Sequence, residues 1–188
     1  MDYQSTSPGA SAARRLRLAL GVAAVLAFSF GLLSCRGVDW FLLKRSLHGK
    51  FSHVEWITTE QLADWLADKK RPQPVLLDVR TAAEWKVSHL PGARWVDPKA
   101  DATTAAAETT KDAPIVTYCA VGYRSGQMAE RLRAAGYRRV QNLEGSIFEW
   151  ANEDRPLVRN GQPATRVHPY NKVWGRLLKP SARAPIPN

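Results

Sequence analysis

Cysteine and histidine are scarce in this chain. Its 188 residues contain two cysteines, Cys35 and Cys119, and only Cys119 lies in the part that has the pattern of a folded domain. A disulfide inside that domain is therefore excluded. His48, His53 and His168 do not show the spacing of metal ligands, so we predict no metal site and no cofactor.

Acidic residues are absent from the C-terminal end. Residues 155–188 contain seven Lys and Arg and no Asp or Glu, whereas residues 37–154 contain sixteen basic and sixteen acidic residues. A neutral central region argues against a nucleic-acid-binding face, and we predict no nucleic-acid partner. The basic extension, residues 158–188, could pack over the domain as a strap held by Tyr170 and Trp174. It could instead contact anionic lipid headgroups or bind a protein partner.

Long apolar runs are also scarce. The mean hydropathy of −0.32 excludes a polytopic membrane protein, and one apolar run of seventeen residues, 18–34, stands out. Three arginines within residues 14–17 precede it, which is typical of a signal peptide, and the following Cys35 resembles the lipidated cysteine of bacterial lipoproteins. An uncleaved membrane anchor is the alternative, because the run is at the short limit for a membrane span. Either way, residues 1–35 are expected to tether the protein to a membrane surface on the periplasmic or another extracytoplasmic face.

One short stretch combines a strand, a cysteine and a helix. Residues 115–118, Ile-Val-Thr-Tyr, favour a buried parallel strand, and Ser125 is a good N-cap for a helix over residues 126–135. Cys119 would then lie near the positive end of the helix. That position stabilises the thiolate, which is the nucleophilic form of the side chain.

Four residues separate Cys119 from Arg124. A loop this tight must curl, so backbone N–H groups should converge on the sulfur and form a nest for an anion. Gly122 allows a close backbone approach or a positive φ, and Arg124 offers a planar fork of donors that suits an oxyanion such as a sulfonate. A buried cysteine followed by an ordinary turn is the alternative interpretation of the same residues.

Three ordered motifs resemble those of the rhodanese family. Residues 118–125, Tyr-Cys-Ala-Val-Gly-Tyr-Arg-Ser, closely resemble its active-site loop. Residues 77–85 together with 89–93 resemble its first signature, and residues 136–150 its closing segment. The resemblance covers residues 53–157. It implies an α/β, rhodanese-like fold with about five strands in a mainly parallel sheet and helices on both faces.

The resemblance also implies a sulfurtransferase. In this family the cysteine takes sulfane sulfur from a donor such as thiosulfate, holds it as a persulfide and passes it to a thiol or cyanide. Cys119 is then the catalytic nucleophile, and the partners are a small sulfur-donor anion and a thiol acceptor. Arg124 helps to bind the anionic donor. The residues whose backbone amides cradle the persulfide are Ala120, Val121, Gly122, Tyr123 and Arg124.

Two other functions are alternatives to sulfur transfer. Dual-specificity phosphatases share this fold but place five residues between the cysteine and the arginine, which makes room for a phosphate. The four residues in this chain favour a sulfur atom. A persulfide carrier that does not turn over, or a docking module of a membrane complex, remains the alternative because the C-terminal extension is not part of a minimal rhodanese domain.

We predict four parts in the chain: a signal peptide or membrane anchor (1–35), a tether (36–52), a rhodanese-like domain (53–157) and the basic C-terminal extension (158–188). Residues 181–188, with three prolines, are expected to be disordered. Strands that alternate with helices predict a parallel sheet. The predicted strands are 54–56, 75–79, 93–96, 115–118 and 140–142.

Several side chains are predicted to have structural roles. Asp78 is expected to cap a turn, Arg80 to pair with Glu84, His89 to make structural hydrogen bonds and Trp150 to pack in the core. Capping boxes are expected to start three helices. The pairs are Thr58 with Gln61, Thr81 with Glu84, and Ser146 with Glu149.

Overall fold

The fold is built on a five-stranded parallel sheet. The computed structural model describes residues 39–186, and chain contacts divide the protein into residues 1–41 and 42–188. Of the first unit only residues 39–41 are described, and they are helical. In the second unit the strand order is β1-β5-β4-β2-β3. The strands are β1 (Glu55–Ile57), β2 (Val75–Asp78), β3 (Arg94–Trp95), β4 (Ile115–Tyr118) and β5 (Val140–Leu143).

The predicted fold class is confirmed, and β4 forms the centre of the sheet. All four residues of β4 are buried, as expected for a parallel strand that is covered on both faces. β4 pairs with β2 on one side and with β5 on the other. In open parallel sheets, ligands bind in the crevice outside the carboxyl ends of the strands. The residue that follows the carboxyl end of β4 is Cys119.

Helices flank the sheet, and two of them begin as predicted. The capping boxes of Thr58 with Gln61 and of Thr81 with Glu84 are both present. In each pair, the side chain at the cap and the side chain three residues later bond to each other's backbone amides. The helices are α1 (39–50), α2 (Thr59–Ala67), α3 (Ala82–Val87), α4 (Ala102–Ala105), α5 (Tyr123–Ala134) and α6 (Ser146–Asn152).

The starts of α5 and α6 differ from the prediction. Gly122 and Gly145 occupy the N-cap positions with left-handed backbones, and no described side chain caps either helix. Ser125 therefore lies inside α5, and Ser146 is the first residue of α6 and does not form a capping box with Glu149. The physical reason is that a left-handed glycine turns the chain sharply enough to start the helix without a side-chain cap.

Within the segment predicted as a tether, residues 36–52, residues 39–50 are helical, and residues 42–52 pack on the domain. Leu47 of α1 and Phe51, which follows it, are buried in the main hydrophobic core. Phe51 lies against Gly126 of α5, where a Cβ atom would come within 2.7 Å of its ring. Lys44 also bonds to Glu149 of α6 at 2.7 Å. The folded unit therefore begins before residue 53.

The C-terminal extension is packed as well. Its first residues lie in an antiparallel hairpin, β6 (Leu157–Arg159) and β7 (Gln162–Ala164), which begins at the last residue of the predicted domain. Two short 3-10 helices follow, Trp174–Leu177 and Pro180–Ala182. Val167 pairs with the strand-like backbone around Arg183.

The prediction of disorder over residues 181–188 is wrong for residues 181–186. Ala182 and Ala184 are buried, and their backbones bond to Val167 at 2.8 and 2.9 Å. Backbone pairing outweighs the local effect of the prolines there.

The predictions for the N-terminus concern residues that the structure does not describe. Signal peptide, anchor and lipidation at Cys35 all fall in residues 1–35, so they stay predictions. No helix within residues 39–186 is both long enough and apolar enough to cross a membrane.

Candidate active site

Cys119 lies in a turn between the central strand and helix α5. Its side chain is 1% exposed and is a free thiol. Gly122 has a φ of 110°, which only glycine adopts readily and which lets the chain curl tightly into the following helix. The Gly122 N–H donates to Cys119 Sγ at 3.2 Å. The tight loop predicted from the sequence therefore does bring a backbone donor to the sulfur.

The neighbouring turn at α6 fixes the backbone of this loop. Ser146 Oγ accepts from the Cys119 N–H at 3.2 Å and donates to the carbonyl of Leu143 at 3.1 Å. The first amides of α6 donate to the loop carbonyls, Ile147 to Cys119 and Phe148 to Ala120. The free N–H groups at the start of α6 therefore hold the Cys119 loop and are not exposed to ligand.

Asn142 of β5 holds the loop from another side. Its side chain is fully buried, and its Nδ2 donates to the carbonyl of Gly122 at 2.8 Å. This bond fixes the left-handed residue whose own amide donates to the sulfur. Neither Asn142 nor Ser146 was predicted to support the loop, because the contacts span 20 and 27 residues of sequence.

The pKa of the Cys119 thiol is lowered from its usual value. Burial raises it, but the positive charge of Arg124, the hydroxyl and amide of Ser125, and the Gly122 amide together outweigh burial. Ser125 Oγ is buried and has no hydrogen-bond partner among residues 39–186. Ser125 thus contributes to lowering the Cys119 pKa and is not the helix cap that its sequence position suggested.

Arg124 does not present a free fork of donors. Its two terminal nitrogens bind the two carboxylate oxygens of Glu84, each at 2.8 Å. Glu84 is 1% exposed, and although burial raises its pKa, the hydrogen bond and charge of Arg124 lower it overall. A face of the guanidinium is covered by the ring of Tyr170, with 5.0 Å between the charge centre and the ring centroid. Only the remaining N–H groups of Arg124 can meet a ligand.

The prediction that Arg80 pairs with Glu84 is wrong. Arg80 is fully buried and forms a bidentate pair with Asp78, with bonds of 2.9 and 2.6 Å, and it also donates to the carbonyl of Ser88 at 2.6 Å. Asp78 lies two residues before Arg80 on the same turn, so it binds Arg80 in place of Glu84. Glu84 is thereby left to bind Arg124.

The thiol opens onto a small pocket of about 140 Å³. Four of the predicted substrate-binding residues, Ala120, Val121, Tyr123 and Arg124, line it together with Cys119. The other walls are Tyr170 and Trp174 of the C-terminal extension. Gly122 contributes its amide to the sulfur without being part of this lining.

A larger cleft of about 500 Å³ lies beside Glu55, Pro114 and Arg139. These residues begin or precede strands, so the cleft is at the opposite edge of the sheet from Cys119.

The other residues predicted to be structural lie in packed or hydrogen-bonded positions. His89 stacks on Trp85 with 3.4 Å between ring centroids, and its backbone pairs with Val158. Trp150 is 2% exposed and donates to the carbonyl of Pro156. Among the described residues, no three His, Cys, Asp or Glu side chains form a group that could hold a metal ion.

Comparison with known proteins identifies the family. The sequence profile of the Rhodanese-like domain matches residues 58–153. The chain belongs to the rhodanese-like domain family. A solution structure of a rhodanese-like domain from Anabaena superposes with a TM-score of 0.52 at 23% identity. It covers 56% of this chain and 80% of that one, and it supports the fold.

Two relatives of this rhodanese-like protein indicate its general chemistry. It is 37% identical over 105 residues to a sulfurtransferase of Allochromatium vinosum, a match that covers 56% of this chain and 95% of the relative. It is 32% identical over 102 residues to a probable adenylyltransferase/sulfurtransferase, MoeZ, of Mycobacterium tuberculosis. That match covers 53% of this chain and spans 25% of the relative's length. These similarities support a sulfur-transfer role in general terms.

Proposed function

We propose that this protein transfers sulfane sulfur through a persulfide on Cys119. The observation that carries the proposal is the Cys119 thiol itself. It has a lowered pKa, it accepts the Gly122 amide, and it opens onto a pocket with one cation. A thiolate is the nucleophile in thiol chemistry, and a nearby cation and oriented amides raise its population.

In the first step the Cys119 thiolate attacks the outer sulfur of a donor such as thiosulfate. A bond forms between the two sulfur atoms, the bond between the sulfane sulfur and the sulfonate group breaks, and sulfite leaves with the electron pair. The remaining N–H groups of Arg124 can bind the anionic oxygen atoms of the donor. The Gly122 amide stabilises the negative charge on the sulfur.

In the second step an acceptor takes the outer sulfur of the persulfide. A thiolate or cyanide attacks that sulfur, the bond to Cys119 breaks, and the Cys119 thiolate leaves with the electron pair. The products are a new persulfide or thiocyanate, and the enzyme returns to its starting state. No oxidant or reductant is needed, because each step exchanges one bonding partner of the transferred sulfur for another and leaves the total oxidation state of the reactants unchanged.

Steady-state assays of the full chain test this proposal. Thiosulfate is the donor, and cyanide and a dithiol are compared as acceptors. The enzyme proposal expects turnover with at least one acceptor and none in Cys119→Ser. A single round of persulfide formation without turnover by any acceptor would favour the carrier function. Absence of both would contradict sulfur transfer from thiosulfate.

We also propose that the protein acts at a membrane surface outside the bacterial cytoplasm. The proposal rests on the sequence of residues 14–35, with its basic flank, apolar run and Cys35. Palmitate label is expected to enter the protein and to be lost in Cys35→Ala, because lipoproteins carry acyl chains on that residue. An unlabelled protein that stays membrane-bound at full length would favour the uncleaved anchor, and an unlabelled soluble cytoplasmic protein would contradict both forms.

A further inference from the structure

The C-terminal extension carries a loop that reaches the Cys119 pocket from outside the matched family domain. The family match ends at residue 153, whereas Tyr170 and Trp174 line the pocket. Their loop, residues 168–177, is called the capping loop below. Its residues are brought to the site by chain that the family pattern does not include.

The capping loop is clamped at both ends. Before it, Val167 is fully buried, and the carbonyl of Arg166 accepts from Ser88 Oγ at 2.7 Å. After it, Leu178 is fully buried. At that end Asn152 of α6 donates to the carbonyl of Leu177 and accepts from the amide of Lys179, both at 2.7 Å. The loop is therefore fixed to the same domain that holds Cys119.

Internal bonds keep the capping loop compact between these clamps. Asn171 Oδ1 accepts from the amides of Val173 and Trp174 at 2.9 and 3.0 Å. Its carbonyl accepts from Gly175 at 2.9 Å, and Gly175 packs so closely on Pro169 that a Cβ would come within 2.8 Å. Trp174 is thereby held at the pocket rim.

Tyr170 has an unusual backbone conformation. Its φ is 63°, which costs a residue with a Cβ some free energy and which persists only when the surroundings impose it. His168 Nδ1 accepts from the Tyr170 amide at 3.0 Å, and the Tyr170 ring lies over the Arg124 guanidinium. The hydrogen bond to His168 and the cation–π contact together hold the ring at the pocket.

The resulting pocket is small for a ligand site. Its volume of about 140 Å³ is well below the ~300–1,000 Å³ of sites for drug-sized molecules and equals about four or five waters. We propose that the capping loop selects sulfur donors and acceptors by size, through Tyr170 and Trp174. It admits reacting sulfur atoms carried on small or slender groups and excludes bulky ones. This inference rests on the proposed sulfur transfer.

Two sulfur donors of equal charge and the same reaction type but of different bulk test the proposal, and the comparison between variants removes the difference in their intrinsic reactivity. Methanethiosulfonate and benzenethiosulfonate are both monoanions, and each releases a sulfinate when its outer sulfur is taken. With cyanide as the acceptor, the wild type is expected to prefer methanethiosulfonate in kcat/KM. Trp174→Ala and Tyr170→Ala should each reduce that preference by roughly tenfold, because a wall of the pocket is removed.

Val173→Ala is the matched control. Val173 lies in the same loop and is 67% exposed, but it is outside the pocket lining. It should keep the wild-type preference. An unchanged preference in both Trp174→Ala and Tyr170→Ala would overturn the proposal.

A second readout does not depend on sulfur transfer. The alkylation rates of Cys119 by iodoacetamide and by a pyrene maleimide are compared by peptide mass spectrometry. The two alanine variants should raise the rate for the bulky reagent more than the rate for the small one. If neither donor is turned over but this selective gain appears, the proposed function fails while the size-selecting wall stands. Equal increases in the alkylation rate for both reagents would contradict the proposal that Tyr170 and Trp174 form a size-selecting wall.

Discussion

Two strand-to-helix turns meet at this site, and they use the same backbone device for different ends. Gly122 before α5 and Gly145 before α6 are both left-handed, with φ values of 110° and 64°. At α5 the backbone amide of Gly122 donates a hydrogen bond to the Cys119 sulfur. At α6 the first amides go to carbonyls of the Cys119 loop. One turn is thus arranged for chemistry and the other for support.

The two turns also differ in how they use a serine. Ser125 is buried near the sulfur and lowers the pKa of Cys119. Ser146 accepts from the Cys119 backbone and ties it to Leu143. Because a glycine is the N-cap of each helix, the serine in the first turn of that helix does not serve as the cap. The comparison predicts that substitutions at the first turn change reactivity, whereas those at the second change mainly stability.

The largest effect is expected from Cys119→Ser at the first turn. Sulfur transfer should be abolished, because a hydroxyl is a far weaker nucleophile at neutral pH and cannot form a persulfide. The fold should be kept, since the two side chains have nearly the same shape. Thiosulfate turnover and circular dichroism check the two statements. Turnover near the wild-type rate would show that another group accepts the sulfur.

Arg124→Ala should have the next largest effect, on both reactivity and stability. The thiolate fraction rises with pH through the Cys119 pKa, so removing the cation should move the rise of the first-step rate to higher pH. The rate of sulfur transfer from thiosulfate should fall more than the rate from an uncharged persulfide donor. Arg124→Lys should rescue poorly, because a point charge cannot bind both oxygens of Glu84. Equal losses for both donors would mean that Arg124 shapes the loop only.

The same substitution leaves the buried Glu84 carboxylate without its main partner. The cost in free energy of unfolding should be about 3 kcal/mol near neutral pH, measured by urea denaturation. The Glu84 pKa is lowered in the folded state, so the pair stabilises the protein above the usual carboxyl pKa and this contribution is lost as pH falls through the folded pKa. The difference in free energy of unfolding between wild type and Arg124→Ala should therefore become smaller at acidic pH. A constant gap would contradict the assignment to Glu84.

Ser146→Ala tests the supporting turn. It removes the acceptor for the buried Cys119 amide and should lower the free energy of unfolding by about 1–3 kcal/mol. The pKa of Cys119, measured from the pH dependence of alkylation, should move little. A large change in that pKa with no change in stability would reverse the roles assigned to the two turns.

Ser125→Ala is the matched change at the first turn and the smallest effect expected. Its hydroxyl has no hydrogen-bond partner in the described part of the chain, so stability should change little. The pKa of Cys119 should rise, because one of the groups that stabilise the thiolate is lost. An unchanged alkylation profile would remove Ser125 from the site.

Much of the scaffold could be predicted because its signals are local. The strand residues Ile115–Tyr118 and the capping boxes at Thr58 and Thr81 depend on neighbours within four residues, and all are present. The loop around Cys119 was also predictable from residue spacing. The starts of α5 and α6 were not, since a serine and a left-handed glycine can each begin a helix and sequence alone does not choose between them.

The missed features depend on contacts between distant parts of the chain. Two arginines and two carboxylates near the site allow two pairings, and only the folded geometry matches Arg124 with Glu84, 40 residues away. The packing of Phe51 on Gly126 and the capping loop over Cys119 arise in the same way. Neither segment has the strong periodicity that would predict a buried face.

The most direct measurement is the mass of the Cys119 peptide after brief treatment of the protein with thiosulfate. The account predicts the mass of one added sulfur atom on this peptide, which disappears when cyanide is added and never forms in Cys119→Ser. An unmodified Cys119 peptide under conditions where the protein releases sulfite, or an added sulfur on another residue, would contradict the central claim that this thiol carries the sulfur.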